Sequence, residues 1–200
     1  GADRVGLVLY AAHAWMQCPL TLDYGVFERE LAAVEIDRND EKSHRTAIGS
    51  SIGLAVSRLN KSEAKSKVII LLTDGINNHG NLDPITAAQV ANDFGIRVYT
   101  IGAGSPQGGR VTRSTLIGPI VAGRTDPIDE ASLKRIADIT GGRYFRATDM
   151  DSLTGAYDEI NALETTEVEI GEVYDYRDGF MPWVVAGAIC VTASVFIRRQ

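Results

Sequence analysis

The chain has 200 residues, 44% apolar and 23% charged, ordinary proportions for one globular domain and enough to bury a core. Its net charge of −6 and pI near 5.1 argue against a nucleic-acid surface, which needs clustered Lys and Arg. Cys18 in "WMQCPLT" and Cys190 inside an apolar tail lie in segments too different in kind to predict an intramolecular disulfide.

In chain order, "RVGLVLYAA" (4–12) reads as a strand, and "AWMQCPLT" (14–21) as a second one ending near Pro19. Asp23 is placed to cap a helix in "DYGVFERELAAV", where Phe27, Leu31 and Val34 recur at helical spacing. The polar stretch "EIDRNDEKSHR" is most simply a solvated surface. It leads into "TAIGSSIGLAVSRLN", a helix with Ile48, Ile52, Ala55, Val56 and Leu59 on one apolar face.

Next comes "KVIILLTDGINNHG" (67–80), a nearly unbroken run of Val, Ile and Leu closed by Thr, Asp and Gly. Such a run predicts a strand buried on both faces, as in a parallel sheet covered by helices. A helix from about 84 to 94 follows, with Pro84 in its first turn, Ala87, Val90, Ala91 and Phe94 on one side, and Gly95 stopping it. "IRVYTIGAG" is the next strand.

Residues 105–128, rich in Gly, Pro and Thr, are too long for an ordinary connection and predict either a functional loop or a small hairpin. "DEASLKRIADITGG" is a helix with Leu133, Ile136, Ala137 and Thr140 inward, ended by Gly141; "RYFRA" is a short strand. "DMDSLTGAYDEINAL" is the last helix before the tail, with Leu153, Tyr157 and Ile160 inward, and "ETTEVEIGEVYDY" reads as extended. The alternation of strands and helices predicts an α/β fold with a doubly wound, mainly parallel sheet.

The tail points to a membrane. "FMPWVVAGAICVTASVFI" (180–197) carries no charge and as a helix reaches roughly 27 Å, enough for a hydrocarbon core. Trp183 suits the interface, Arg198 and Arg199 suit the cytoplasmic side, and the preceding flank is mainly acidic. The competing reading is a buried C-terminal helix. The expected organisation is a domain over 1–165, a juxtamembrane linker over 166–179, a transmembrane helix over 180–197 and a cytoplasmic tail over 198–200, with the domain outside the cytoplasm. No signal segment or initiator Met stands at the front, which predicts the later part of a longer chain.

In a parallel sheet, ligands bind in the crevice beyond the carboxyl ends of the strands. There Asp74 offers a carboxylate, Asn77 and Asn78 offer amide oxygens, and Thr46, Ser50 and Ser51 offer hydroxyls at a helix start. Oxygen ligands of this kind suit a hard divalent cation, Mg²⁺ above all. The plainer alternatives are that Asp74 and Thr46 cap helices or turns. An enzymatic alternative makes Asp74 the nucleophile of a phosphoryl transfer or part of a metal-assisted hydrolase, which needs further acids and a Lys nearby. His13, His44 and His79 are scattered without metal-ligand spacing; solvent exposure or capping is the simpler reading. Ser50 and Ser51 lack a G-x-S-x-G elbow, and "GAGSPQGG" lacks the Gly-Lys-Ser/Thr of a phosphate loop.

The segments "DRVGLVLYAAHAWMQCPLTLD", "TAIGSSIGLAVSRL", "KSKVIILLTDGINNHG", "IRVYTIGAG" and "LKRIADITGGRYFRATD" together resemble the von Willebrand factor A domain. More narrowly, they resemble the membrane-anchored bacterial proteins of the Bat (aerotolerance) group. The resemblance implies a non-enzymatic binding module with a metal-ion-dependent adhesion site, holding Mg²⁺ (or Mn²⁺ or Ca²⁺) whose coordination a partner's acidic side chain completes. It assigns metal roles to Thr46 and Asp74 and partner contacts to Gly75, Asn77 and Asn78. The family's Asp-x-Ser-x-Ser motif is absent, because the chain starts at what would be the second strand of the family fold. The first strand, first helix and three ligands are then missing, so metal binding by this chain alone is expected to be weak or absent. The strands around 4–12 and 67–74 are expected either to expose edges across a gap or to pair with each other. The resemblance further implies a place on the periplasmic side of the bacterial inner membrane. The implied role is in assembling or maintaining envelope complexes under stress, alongside related proteins of this family and a MoxR-type ATPase.

Overall fold

The computed structural model of the chain describes residues 3–35, 45–74, 76–103, 110–115, 118–124 and 128–168, with backbone alone for the two strands between 110 and 124 and for 166–168. The chain divides into a compact unit, Gly1–Thr166, and a second unit, Glu167–Gln200, of which only residues 167 and 168 are described. The expected membrane helix at 180–197 and its flanking arginines lie outside the described residues. Among the described residues no helix is long and apolar enough to cross a membrane.

Strands β1 (Val5–Tyr10) and β2 (Ala14–Thr21) form an antiparallel hairpin with Tyr10 opposite Ala14 and Leu9 opposite Trp15. β2 runs past Pro19 to Thr21. Its register against β1 shifts on both sides of Leu7, and among the described residues β2 pairs on one side only, both of which let a sheet accommodate proline. Helix α1 (Tyr24–Ala32) starts at Asp23, whose carboxylate accepts from the Val26 N–H at 3.1 Å. Its inner face differs from the expected one: Val26, Phe27, Glu30 and Val34 are half-buried, while Leu31 is exposed. Among the described residues the helix lies against the hairpin alone, and Gln17 of β2 donates to Glu30 at 3.0 Å, which draws that side of the helix inward.

The parallel sheet has the order β3 (Val68–Thr73), β4 (Arg97–Ala103), β7 (Tyr144–Ala147), in register from Val68 opposite Arg97 and from Thr100 opposite Tyr144. β4 is its central strand and is buried on both faces, as an apolar run in such a sheet requires. On one face Ile69, Leu71 and Val98 pack with α2 (Ile48–Leu59), α3 (Pro84–Asp93) and α4 (Glu130–Thr140); on the other Tyr99 and Ile101 pack with Ala156 and Ile160 of α5 (Met150–Val168). Truncating Leu133 or Ile136, each almost fully buried in the first cluster, is expected to cost about 2–5 kcal/mol.

Helix α4 buries Leu133, Ile136, Ala137 and Thr140, the face its periodicity predicts, and ends at Gly141 with φ of 71°. Helix α3 instead buries Pro84, Ala87, Ala88 and Ala91, leaving Val90 and Phe94 exposed. The small residues let α2 and α3 approach until an added Cβ on Gly49 would stand 2.0 Å from the Leu82 carbonyl oxygen. Helix α5 continues to Val168, so residues 164–168, expected to be extended, are helical. Its end is held at the start of the sheet by Glu164, which accepts from Tyr99 Oη (2.7 Å), Arg97 Nη2 (2.7 Å) and Ser66 Oγ (2.9 Å). Tyr157, expected inward, is exposed, and Ala156 takes the buried place with Ile160.

The long stretch after β4 contains a hairpin of β5 (Arg110–Thr115) and β6 (Gly118–Arg124), one of the two forms expected of it. β1 and β3 do not pair: the hairpin β1–β2 and the sheet β3–β4–β7 are separate among the described residues. β1 and β3 each have one edge unpaired among the described residues, and β3, expected to be buried on both faces, exposes Ile70 (37%) and Leu72 (40%) on one of them. The Tyr10 hydroxyl reaches the Leu72 carbonyl of β3 at 2.6 Å.

Candidate metal site

The carboxyl edge of β3 is organised around residues 46–48. Ala47 occupies the N-cap of α2 and offers no side-chain acceptor, so the first turn must find its acceptors elsewhere. Asn77 supplies one: its Oδ1 accepts from the Ile48 N–H at 2.9 Å. Asn78 Oδ1 accepts from the Thr46 N–H at 2.8 Å, and the Thr46 carbonyl accepts from the N–H groups of Asn78 (3.1 Å) and His79 (3.3 Å). Four hydrogen bonds therefore join the loop after Asp74 to the segment that carries Thr46. Gly80 closes this loop with φ of 101°, a backbone conformation that favours glycine, and a Cβ there would stand 2.8 Å from Ser50 Oγ.

The expected site residues sort clearly. Thr46 is half-buried and does not cap α2; its hydroxyl makes no hydrogen bond among the described residues. Asp74 is exposed and caps no helix, since α3 begins with Asp83 accepting from the Thr86 N–H at 2.9 Å. Asn77 and Asn78 are exposed, and each uses its amide oxygen to join the two loops. Ser51 is buried and donates to the Ile48 carbonyl at 2.8 Å, while Ser50 lies under Gly80. Gly75 is outside the described residues.

Asp74 also acts on Tyr10. Burial pushes the Tyr10 phenol up to about 12; a hydrogen bond with Thr73 works against this, and the Asp74 charge adds to it. The phenol therefore stays neutral beside the carboxylate at physiological pH and can donate to the Leu72 carbonyl.

An unengaged hydroxyl and an unengaged carboxylate on two joined loops fit part of the oxygen shell of a hard divalent cation. They do not make a full set: no group of three or more His, Cys, Asp or Glu suited to a metal occurs among the described residues. The nearby carboxylates of Asp83 and Asp129 cap α3 and α4, Asp129 accepting from Ser132 N at 3.1 Å and Ser132 Oγ at 2.6 Å. Sequence reasoning missed the joining role of Asn77 and Asn78. The signal was available in Ala47, a residue without a capping side chain where a cap is needed.

A parallel sheet with helices on both faces and polar groups beyond its strand ends defines an α/β domain that presents ligands at its carboxyl edge. The family model for the von Willebrand factor type A domain matches residues 1–159, and the chain belongs to that family. It is 28% identical over 196 residues to an uncharacterised protein of Borreliella burgdorferi, covering 98% of this chain and 56% of the relative, so it spans just over half of that protein's length. Among solved structures it resembles an aerotolerance-related membrane protein from Bacteroides fragilis (28% identity, 81% of each chain, TM-score 0.62). It also resembles the conserved hypothetical protein BatB from Bacteroides thetaiotaomicron (26% identity, 82% of this chain and 81% of that one, TM-score 0.61).

Proposed function

We propose that the chain is a protein–protein interaction module of the bacterial envelope that holds an acidic partner through a divalent ion. What supports this reading is that the polar groups around Thr46 and Asp74 are engaged in joining loops and capping helices, whereas the Thr46 hydroxyl and the Asp74 carboxylate are left over. In this reading Thr46 and Asp74 hold Mg²⁺, with Mn²⁺ or Ca²⁺ as substitutes, and Gly75, Asn77 and Asn78 form the rim that a partner touches. The ion supplies an open coordination position for the partner's carboxylate. The open edge of β3 and the exposed Ile70 and Leu72 suit a further strand and helix, on which the remaining ligands would sit. Segment 180–197 anchors the module in the inner membrane, with residues 1–179 outside the cytoplasm. The likeness to an aerotolerance-related membrane protein and to BatB supports a role in envelope complexes under stress, with related proteins of this family and a MoxR-type ATPase as partners.

Calorimetry of Mg²⁺ and Mn²⁺ binding to the full-length protein tests the metal reading: Asp74→Ala should weaken both while far-UV circular dichroism stays unchanged. Equal affinity in the variant sinks it. For the anchor, a cysteine placed at exposed Glu63 should react with a membrane-impermeant thiol reagent on cells with an intact inner membrane. Labelling only after that membrane is broken would put the domain in the cytoplasm.

A further inference from the structure

His13 and His79, distant in sequence, meet on the rim of the Thr46–Asp74 edge, their rings 5.9 Å apart between centroids and inclined at 71°. The contact follows from how the backbone is tied. His13 ends the turn between β1 and β2, and its carbonyl accepts from the Ala11 N–H at 2.9 Å. The Ala11 carbonyl in turn accepts from the Ala47 N–H at 2.9 Å, which fastens the hairpin tip to the start of α2. His79 is fastened to the same place, since its N–H donates to the Thr46 carbonyl at 3.3 Å and Gly80 packs on Ala47 and Ser50. Both imidazoles therefore project from backbone anchored to residues 46 and 47. His13 is exposed and His79 half-buried, so solvent ions reach the pair.

We propose that His13 and His79 form a second metal site that takes a borderline transition ion, Zn²⁺, Ni²⁺ or Cu²⁺, and not Mg²⁺. Neutral imidazole is a ligand for these ions, whereas Mg²⁺ takes oxygen donors. At metal–nitrogen distances of about 2.0–2.1 Å, two imidazoles on one tetrahedral ion stand roughly 5 Å apart between centroids. The observed separation of 5.9 Å is somewhat longer, and rotation about the side-chain torsions would have to supply the difference. No third His, Cys, Asp or Glu completes the group among the described residues. The site is independent of the oxygen site proposed above: it uses different donors and selects different ions.

Zinc binding to the full-length protein, measured by calorimetry in excess Mg²⁺ so that any oxygen site is filled, tests the assignment. Histidine ring resonances followed by NMR report which imidazoles respond. His13→Ala and His79→Ala should each weaken Zn²⁺ binding about tenfold or more, because each removes one of the two imidazole ligands. Asp74→Ala, which removes the oxygen site, should leave it unchanged. Both histidines of the pair are at least partly exposed, so the variants keep the fold, which circular dichroism checks. Unchanged Zn²⁺ affinity in His13→Ala and His79→Ala overturns the proposal. So does loss of Zn²⁺ binding in Asp74→Ala alone. Failure here leaves the Mg²⁺ affinity of the Thr46–Asp74 site as a separate result, since Mg²⁺ takes oxygen donors and is titrated on its own.

Discussion

Replacing Asn77 by Ala should both loosen the start of α2 and release the loop after Asp74. The wild-type amide oxygen is the acceptor for the Ile48 N–H at 2.9 Å, in a helix whose own N-cap residue, Ala47, cannot supply one. Removing a capping acceptor costs typically about 1 kcal/mol and up to about 2. Ile48 and Ala47 are both buried, so water does not easily replace the lost partner, which places this case in the upper part of that range. With a urea m-value of about 2 kcal/mol/M, the unfolding midpoint should fall by roughly 0.5–1 M. Asn77→Asp keeps an acceptor at the same place and should recover most of the loss, which a mere packing role for the side chain would not explain. An Asn77→Ala midpoint within about 0.1 M of wild type would refute the argument that α2 is capped from the loop after β3.

Gly49→Ala should destabilise by about 3 kcal/mol, seen in chemical denaturation, because the new Cβ would stand 2.0 Å from a backbone oxygen that cannot turn aside. Tyr10 should titrate near pH 12, a phenol signal that Tyr10→Phe removes from the ultraviolet spectrum and that Asp74→Asn shifts downward. Because its folded value is raised, the stability it contributes is intact below about pH 10 and is lost as pH rises towards 12; at most this amounts to about 2.7 kcal/mol. Asp129 runs the other way: the Ser132 hydroxyl, followed by the Ser132 N–H, holds its carboxyl below the ordinary value. Its contribution is therefore present above about pH 4 and fades as pH falls through the lowered value. Asp129→Ala should cost about 1 kcal/mol at neutral pH and progressively less in acid, as measured by thermal unfolding.

The amphipathic and buried patterns carried most of the fold. Helix α4 could be read down to its inward residues because Leu133, Ile136, Ala137 and Thr140 stand against a charged opposite face. The inner faces of α1 and α3 were misread for a common reason. Large side chains at Leu31, Val90 and Phe94 looked like core, but α3 packs through alanines that permit a closer approach, and among the described residues α1 rests on the hairpin alone. Thr46 and Asp74 were legible as candidates by residue type and by resemblance. Whether either served as a cap was not, since that depends on where α2 and α3 start in space. The meeting of His13 with His79 was hidden for a related reason: it is made by backbone hydrogen bonds to residues 46 and 47, and these leave no mark in side-chain spacing.

The central claim is that Thr46 and Asp74 serve one ion together, and a double-mutant cycle on Mn²⁺ affinity tests it most directly. Mn²⁺ binding would be measured by electron paramagnetic resonance on the full-length protein, on Thr46→Ala, on Asp74→Ala and on the double variant. Two ligands of one ion are coupled, so the double variant should lose less than the sum of the single losses, with an interaction energy of about 0.5 kcal/mol or more. Losses that simply add, or a Thr46→Ala variant that binds Mn²⁺ as wild type does, would contradict the shared site.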